Sequence, residues 1–148
     1  LGRKVLGSQG KLLRGFTKIV HKFCEANAEH PQLKAYVAQL DGLNRQWGEL
    51  TTQVGMAAMK NPDEVGAAAL DYLMYSGYIV LGYLWLRMAL VADAQLQAGG
   101  GDEELCRGKL VTCEFYFKRL LRRSATHRAA VEAGSDCLMK LPAELFAL

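Results

Sequence analysis

NPDEVGAAALDYLMYSGYIVLGYLWLRMA, residues 61–89, contains the strongest structural signals in the chain. It opens with a helix start, in which Asn61 can cap the first turn and Pro62 presets the first helical residue. Glu64 stands at the third position after the cap, where a capping box places an acid. We therefore predict one long helix over residues 62–98.

This long helix is apolar on nearly all sides, since no residue from Tyr72 to Leu86 is charged. A membrane span is one interpretation, but that stretch measures about 22 Å as a helix, against roughly 30 Å of hydrocarbon in a bilayer. Small residues that let neighbouring helices approach recur along it: Ala69, Ser76, Gly77 and Gly82. We predict a central helix buried on several sides, and no transmembrane segment.

The first predicted helix covers Ser8 to Ala28 and separates charged from apolar residues. Its apolar positions, three and four apart, are Leu12, Leu13, Phe16, Ile19, Val20 and Phe23. The opposite stripe is basic and consists of Lys11, Arg14, Lys18 and Lys22. Residues 1–24 contain no acid, although the whole chain carries a net charge of only +3. Such a basic segment suits an acidic protein surface, a membrane surface or solvent.

A second helix begins at His30-Pro31, because the N–H that proline lacks has no partner in a first helical turn. We predict that it extends to Lys60, a length of about 45 Å at 1.5 Å per residue. Its apolar positions form one face: Leu33, Val37, Leu40, Leu43, Trp47, Leu50 and Val54.

Three glycines, residues 99–101, separate the long helix from the C-terminal part of the chain. Asp102 is predicted to cap a fourth helix that ends near Arg122 and Arg123, whose charges suit the negative end of a helix dipole. Residues spaced four and three apart predict a seam that faces a partner helix: Cys106, Leu110, Cys113, Phe117 and Leu120.

Thr126 is predicted to cap a shorter fifth helix that ends before Pro142. Its apolar residues are Val131, Leu138 and Met139. The apolar tail, residues 145–148, docks on the bundle or frays. The chain has no stretch of strict alternation typical of strands. We predict an all-α fold, an up-and-down bundle of four long helices plus a shorter C-terminal helix, as one domain over residues 1–148.

Composition agrees with a folded domain, since 51% of residues are hydrophobic and 22% are charged, too apolar for disorder. None of the cysteines forms a Cys-x-x-Cys pair, and all four are predicted to be small buried hydrophobes: Cys24, Cys106, Cys113 and Cys137. Free thiols indicate a reducing compartment, so we expect a cytoplasmic protein.

Reactive residues are not arranged for catalysis anywhere in the sequence. A di-iron bundle needs Glu-x-x-His, which does not occur. His21, Cys24 and Glu25 have ligand-like spacing, but no further His or Cys cluster completes a zinc site. Residues 99–101 are not followed by the Lys-Ser or Lys-Thr of a phosphate loop. We predict no catalytic, cofactor-binding or metal-binding residue in this chain.

A second basic cluster allows two interpretations. It consists of Lys118, Arg119, Arg122, Arg123 and Arg128. These residues either grip phosphate, as in nucleic acid or coenzyme A, or form a solvated helix end, which we favour. We therefore expect no nucleic-acid partner. The aromatic residues 115–117 are predicted for the core. Asp71 and Arg87 are predicted to be partly buried, each with a partner on another helix.

Several segments, in this order, resemble the extra C-terminal domain of one branch of the acyl-CoA dehydrogenases. They are residues 1–6, 61–64, 69–73, 77–89, 115–121 and 133–139. The resemblance implies that the chain is a fragment of a longer FAD-dependent flavoprotein of fatty acid metabolism. Residues 1–7 would then be a lead-in from the missing catalytic region.

The resemblance also implies the chemistry of the longer enzyme. In that family a glutamate removes the α-proton of an acyl-CoA while flavin N5 takes the β-hydride, which gives the 2,3-enoyl-CoA. Electrons leave through an electron-transferring flavoprotein, and the enzyme is expected to be a homo-oligomer. Because the catalytic and flavin-binding segments precede the matched region, no such residue is carried over, and the fragment alone is predicted to be inactive.

The resemblance suggests an accessory role, in which the basic first helix and one bundle face pack on the catalytic domains or at a subunit contact. Three alternatives stay open from the sequence. One is a stand-alone helical protein-interaction module. Another is membrane-surface binding through the basic first helix. The third is a ligand pocket inside the bundle.

Overall fold

The computed structural model describes residues 1–146, and the last two residues of the predicted apolar tail lie outside this range. The helices are α1 Lys11–Ala26, α2 Lys34–Lys60, α3 Asp63–Gln97, α4 Glu103–Phe115, α5 Ser124–Glu132 and α6 Asp136–Met139. Short 3-10 turns cover Leu6–Ser8, Leu121–Arg123 and Ala143–Phe146, and a π-helical turn covers Tyr116–Leu120. The predicted all-α class is confirmed.

The long helix α3 lies at the centre of the bundle. It packs against α2, α4 and α5, while α1 packs against α2. Tyr75, Ile79 and Leu86 of α3 are fully buried, and so is Leu40 of α2. Phe16 and Phe23 of α1 reach α3 through edge-to-face contacts with Tyr83, with ring centroids 5.9 and 5.1 Å apart. These aromatic contacts join α1 to the same core.

α2 buries the face that the sequence predicts. The residues predicted for this face, Leu33 among them, are buried, except that Leu43 is half-buried. The helix begins later than predicted, at Lys34. His30 Nδ1 accepts the backbone N–H groups of Gln32 and Leu33 at 3.4 and 3.3 Å. Residues 31–33 therefore form a turn ahead of the helix.

α3 begins with the predicted Asn61 cap, whose Oδ1 accepts the N–H of Asp63 at 3.1 Å. The predicted capping box is wrong, because the N–H of Asn61 already donates to Ala57 O. The carboxylate of Glu64 instead accepts the N–H and the hydroxyl of Ser135, at 3.2 and 2.7 Å. Glu64 thus ties the start of α3 to the segment after α5.

The prediction that α3 is buried on several sides is wrong for one face. Large apolar side chains are exposed along it, including Leu70 at 69% and Leu81 at 48%. By length and composition α3 is able to cross a membrane, and 39% of its most apolar stretch is buried inside the protein. A single helix of this kind is weak evidence for a span, since a core helix has the same composition.

The apolar face of α1 is also partly mispredicted. Leu13, Val20 and Cys24 are buried, but Leu12 and Ile19 are exposed. The helix starts at Lys11 rather than at residue 8. Left-handed backbone at residues 9 and 10, with φ of 51° and 73°, separates it from the preceding 3-10 turn.

α4 has the predicted cap and a different end. Asp102 Oδ1 accepts the N–H of Leu105 at 2.9 Å. The helical path does not stop at residues 122–123, but continues through the π-helical and 3-10 turns into α5. In the predicted seam, Cys106, Cys113 and Phe117 are buried and the two leucines are half-buried. Phe115 is exposed, contrary to prediction.

α5 begins at Ser124, so the predicted Thr126 cap is wrong. The Ser124 hydroxyl donates to Leu121 O at 2.7 Å and continues the preceding turn. α5 ends at Glu132, ahead of Gly134 with φ of 72°. The segment beyond it belongs to α6 and carries three exposed side chains: Cys137, Leu138 and Met139.

Candidate functional site

Three side chains near the end of α1 have the spacing of metal ligands, but the structure separates Cys24 from His21 and Glu25. Cys24 is buried, and burial raises the pKa of its thiol to about 12, whereas metal binding requires a thiolate. His21 is exposed, with Nδ1 3.0 Å from Asp41 Oδ1 and Nε2 3.5 Å from Glu25 Oε1. Among residues 1–146, no three His, Cys, Asp or Glu side chains are grouped to hold a metal ion.

A buried polar group connects the start of α2 to the end of α3. His30 Nε2 lies 3.4 Å from Asp93 Oδ2, and Asp93 is buried. The side-chain amide of Gln97 donates to the same carboxylate. Both ring nitrogens of His30 have partners, because Nδ1 accepts backbone N–H groups. This group is structural, and nothing in the local sequence of either residue indicates the pairing.

The two polar residues singled out on α3 behave differently. Asp71 Oδ1 lies 2.7 Å from Nδ1 of His127 in α5, so the predicted partner on another helix is confirmed. The His127 ring stacks on Tyr78 with centroids 5.7 Å apart. The prediction is wrong for Arg87, which is exposed and lies over the ring of Tyr83 on its own helix, 5.5 Å from the centroid. A cation–π contact satisfies this charge at the surface.

Both basic clusters lie on the surface. The stripe on α1 is exposed at all four positions: Lys11, Arg14, Lys18 and Lys22. In the second cluster, Lys118 pairs with Glu114 and Arg128 pairs with Glu132, each one helical turn away. Such pairs are typical of a solvated helix surface. The α1 stripe, by contrast, has no acid in α1 before Glu25.

The exposed face of α3 forms a continuous apolar surface, which we call the α3 stripe. Its members are Leu70, Met74, Gly77, Leu81, Leu84, Met88 and Val91. Beside its C-terminal half, between α3 and α4, lies an open cavity of about 530 Å³. Leu105 and Cys106 of α4 contribute to its apolar wall, and Arg87 and Lys109 supply its charges. The surface can bind another apolar surface, and no reactive pair faces it.

A larger cavity, of about 680 Å³, lies between the first 3-10 turn and the C-terminal half of α2. Leu6, Gly55, Met56 and Val65 contribute to its lining, with Arg14 at one side. Both cavities are open at the surface, so the alternative of a ligand pocket inside the bundle gains no support from them.

The fold and its surfaces define an all-α bundle domain with an exposed apolar face on α3 and exposed basic residues on α1 and after α4. Residues 16–142 match the family described as acetyl-CoA dehydrogenase C-terminal like. The chain belongs to this family, and the resemblance stated from the sequence is confirmed.

Two curated relatives match almost the whole chain. The broad-specificity linear acyl-CoA dehydrogenase FadE5 of Mycobacterium tuberculosis is 28% identical over 152 residues, which cover 97% of this chain and 25% of the relative. The 3-methylmercaptopropionyl-CoA dehydrogenase of Ruegeria pomeroyi is 27% identical over 157 residues, which cover 93% of this chain and 24% of the relative. The chain therefore spans about a quarter of the length of these relatives.

Proposed function

We propose that this chain is the C-terminal accessory domain of a longer FAD-dependent acyl-CoA dehydrogenase, which oxidises an acyl-CoA to the 2,3-enoyl-CoA. The observation that supports it is the family match over residues 16–142. One relative is named as an acyl-CoA dehydrogenase and the other as a 3-methylmercaptopropionyl-CoA dehydrogenase, and both are about four times as long as the matched region. We further propose that the longer enzyme is a cytoplasmic homo-oligomer that passes electrons to an electron-transferring flavoprotein.

The residues of this chain do not fit a flavin site. A flavin dinucleotide needs donors that converge on its phosphates, such as a glycine-rich turn at a helix start. The four cations of the α1 stripe instead spread along one side of a 16-residue helix, Lys11–Ala26. The cavity beside the α3 stripe has only Arg87 and Lys109 as charged lining residues. We therefore assign FAD and the chemical step to the part of the enzyme outside this chain.

The domain's own role in this proposal is to brace the catalytic domains through the basic face of α1. Lys11, Arg14, Lys18 and Lys22 are all exposed and no acid lies in α1 before Glu25. A positive surface of this kind favours an acidic partner surface and is weakened by salt.

Charge neutralisation in the longer enzyme tests the role. We expect the variant K11Q/R14Q/K18Q/K22Q to lower the thermal stability of the assembled enzyme and its rate of enoyl-CoA formation at low salt, and to differ less from the unmodified enzyme at high salt, where the charges are screened. The matched control neutralises four other exposed cations: Lys34, Arg119, Arg122 and Arg123. If the two variants behave equally, the basic face of α1 does not contribute to the contact with the catalytic domains. The isolated chain is expected to be colourless and inactive, and a tightly bound yellow flavin would overturn the proposal.

A second candidate is membrane-surface binding through α1. The observation in its favour is that Leu12 and Ile19 are exposed beside the basic stripe, which gives the outer face of α1 both charge and apolar area. Sedimentation with anionic vesicles at low and raised salt tests it. Binding that disappears in the double variant Leu12→Gln, Ile19→Gln would establish this function. No sedimentation at low salt would exclude it.

A third reading, a stand-alone interaction module, is decided by the coding sequence. If the reading frame upstream of this chain encodes no acyl-CoA dehydrogenase body, the accessory-domain proposal is wrong. If it encodes one, the stand-alone module is excluded.

A further inference from the structure

The 3-10 turn Leu6–Ser8 is followed by the hydrogen bonds with which an α-helix commonly ends. Gln9 N–H donates to Leu6 O at 2.8 Å. Gly10 N–H donates to Val5 O at the same distance. Gln9 itself has left-handed backbone, with φ of 51°. This pair of bonds at a left-handed residue is the Schellman motif of helix C-termini. The segment before Gln9 is therefore the last part of a helix.

The same segment has no helix start within this chain. Leu1 O accepts the N–H groups of Val5 and Leu6 at 3.0 and 3.2 Å, so helical bonding is present from the first residue. Leucine is a poor N-cap, because its side chain cannot accept a hydrogen bond. Within residues 1–146, the N–H groups of residues 2–4 donate to no backbone carbonyl. In a longer helix, carbonyl groups one turn upstream accept such N–H groups.

One side of this segment packs where α2 meets α3. Its apolar residues are partly buried against the core: Leu1, Val5 and Leu6. Leu6 lies against Gly55 of α2, where an added Cβ would be 3.3 Å from the leucine side chain. A Cβ added to Gly2 would lie 3.2 Å from Val65, near the start of α3. From Leu6 back to Gly2 the segment therefore runs from α2 toward α3, and a preceding turn continues in that direction.

The cavity of about 680 Å³ beside this segment contains two exposed methionines of α2. Met59 is 81% exposed and Met56 is 54% exposed, and both line the cavity together with Gly2 and Val65. The buried face of a helix repeats every three to four residues, so its next apolar residues would lie one turn before Leu1. Apolar residues there fit the cavity, because flexible methionine side chains adapt to irregular apolar surfaces.

We propose that the residues immediately before Leu1 in the longer enzyme form one continuous helix with residues 1–8 and dock in the cavity lined by Met56 and Met59. The catalytic domains are then joined to the bundle by a rigid helix held on α2 and α3, and not by a flexible linker. This inference rests on the proposed function, which places the catalytic domains before this chain. Its failure is distinguishable, because an enzyme with a flexible connection would still contain flavin and oxidise its acyl-CoA.

Amide hydrogen exchange of the longer enzyme tests the continuity of the helix. We expect the N–H groups of residues 2–4 to be at least about 100-fold more protected from exchange than those of Glu103 and Glu104, because upstream carbonyl groups accept them. The two control amides belong to the first turn of α4, where a helix begins behind the Asp102 cap. Equal protection of the two sets would overturn the proposal.

Proline substitution tests the same helix through its stability. Arg3 is exposed and its N–H donates to no backbone carbonyl in this chain, so Arg3→Pro is harmless if a helix begins at Leu1. In the interior of a continuous helix it removes a hydrogen bond and clashes with the preceding turn. We expect it to lower the thermal midpoint of the longer enzyme by about 3 °C or more.

The matched control is Glu103→Pro, at the first position of α4. Proline is tolerated there, so we expect a shift of less than about 1 °C. Equal shifts for Arg3→Pro and Glu103→Pro would mean that the first residues of this chain begin a helix and do not continue one, which contradicts the proposal.

Methionine oxidation tests the docking in the cavity. In this chain Met59 is more exposed than Met139, so peroxide should oxidise Met59 the faster if nothing covers it. In the longer enzyme we expect the reverse, with Met59 oxidised at least about tenfold more slowly than Met139. Faster oxidation of Met59 would exclude the docking. Protection of Met59 with unprotected amides at residues 2–4 would assign the cavity to another part of the enzyme and would equally refute the continuous helix.

Discussion

α2 and α3 are neighbouring long helices that differ in how their apolar residues are distributed around the helix. α2 has one apolar face, which is buried, and its other side carries exposed polar residues such as Arg45, Glu49 and Gln53. α3 is apolar on both sides, and its core face is buried while the α3 stripe is exposed. An apolar pattern therefore identifies the core face of a helix only where a polar face lies opposite to it. Where a helix has no polar face, its apolar pattern does not distinguish the face that packs in the core from a face that is exposed for docking.

Truncation of one leucine on each helix should give the largest contrast. Leu40 of α2 is fully buried, so Leu40→Ala should lower the free energy of unfolding by about 2–5 kcal/mol through lost burial and a cavity. Leu81→Ala on the α3 stripe should change it by less than about 0.5 kcal/mol in the monomer. Urea unfolding at low protein concentration measures both. A large loss for Leu81→Ala in the monomer would mean that the stripe is covered within this chain.

The sequence correctly predicts the buried face of α2. It does not predict which face of α3 is buried and which is exposed. In α2 the stripe from Val37 to Val54 is flanked by polar residues, so helical spacing alone identifies the core face. In α1 the same reasoning included Leu12 and Ile19, which lie at the edge of the apolar arc and stay exposed. Spacing defines the direction of a side chain on its helix, whereas burial depends on where the neighbouring helices lie.

The polar contacts were harder to predict, because they join residues far apart in the chain. Glu64 has the right position for a capping box, yet a competing partner, Ser135, takes its carboxylate. The Asp93–His30 pair has no local signature either. Helical spacing predicts the α1 stripe, whereas the sequence predicts a buried α3 and not the exposed α3 stripe. Only the structure distinguishes which of their residues remain uncovered.

The contact between Glu64 and Ser135 should give the second largest effect. Ser135 is buried, so Ser135→Ala leaves part of the Glu64 carboxylate without a donor and should cost about 1–3 kcal/mol. The control is Thr52→Ala on α2, where an exposed hydroxyl donates to Gly48 O at 3.0 Å and water replaces the bond. Chemical unfolding compares the two. Equal losses would mean that the start of α3 is not held by this contact.

Glycine-to-alanine substitutions should have opposite effects on stability in the α3 stripe and just beyond the C-terminal end of α3. Gly77→Ala should stabilise the monomer by about 0.5–1 kcal/mol, because the position is helical and open. Gly101→Ala should destabilise it, since Gly101 has φ of 83° and a Cβ there lies 3.3 Å from the side-chain oxygen of Gln95. Thermal unfolding measures the two shifts. If Gly77→Ala destabilises the dilute chain, the space over Gly77 is occupied within the monomer.

The smallest effect is expected at the hydrogen-bonded pair of His21 in α1 and Asp41 in α2. The hydrogen bond to Asp41 is the main cause that raises the pKa of His21 above 6.5, and the charge of Glu25 adds to it. A raised histidine pKa means that the folded state holds the proton more tightly than the unfolded chain. The pair therefore stabilises the fold fully below pH about 6.5, and the contribution is lost as pH rises through the folded pKa.

NMR titration of the His21 ring measures this pKa directly. Asp41→Asn should lower it toward the ordinary value, and Glu25→Gln should lower it by less, because the hydrogen bond to Asp41 is the larger cause. The side chain of His21 is exposed, so a change in global stability is expected to be slight. An unchanged pKa in Asp41→Asn would show that α1 and α2 are not joined at this edge. In that case the polar side of α2 would have no specific partner on α1 at Asp41. The difference between α2 and α3 would then depend only on how their apolar faces pack.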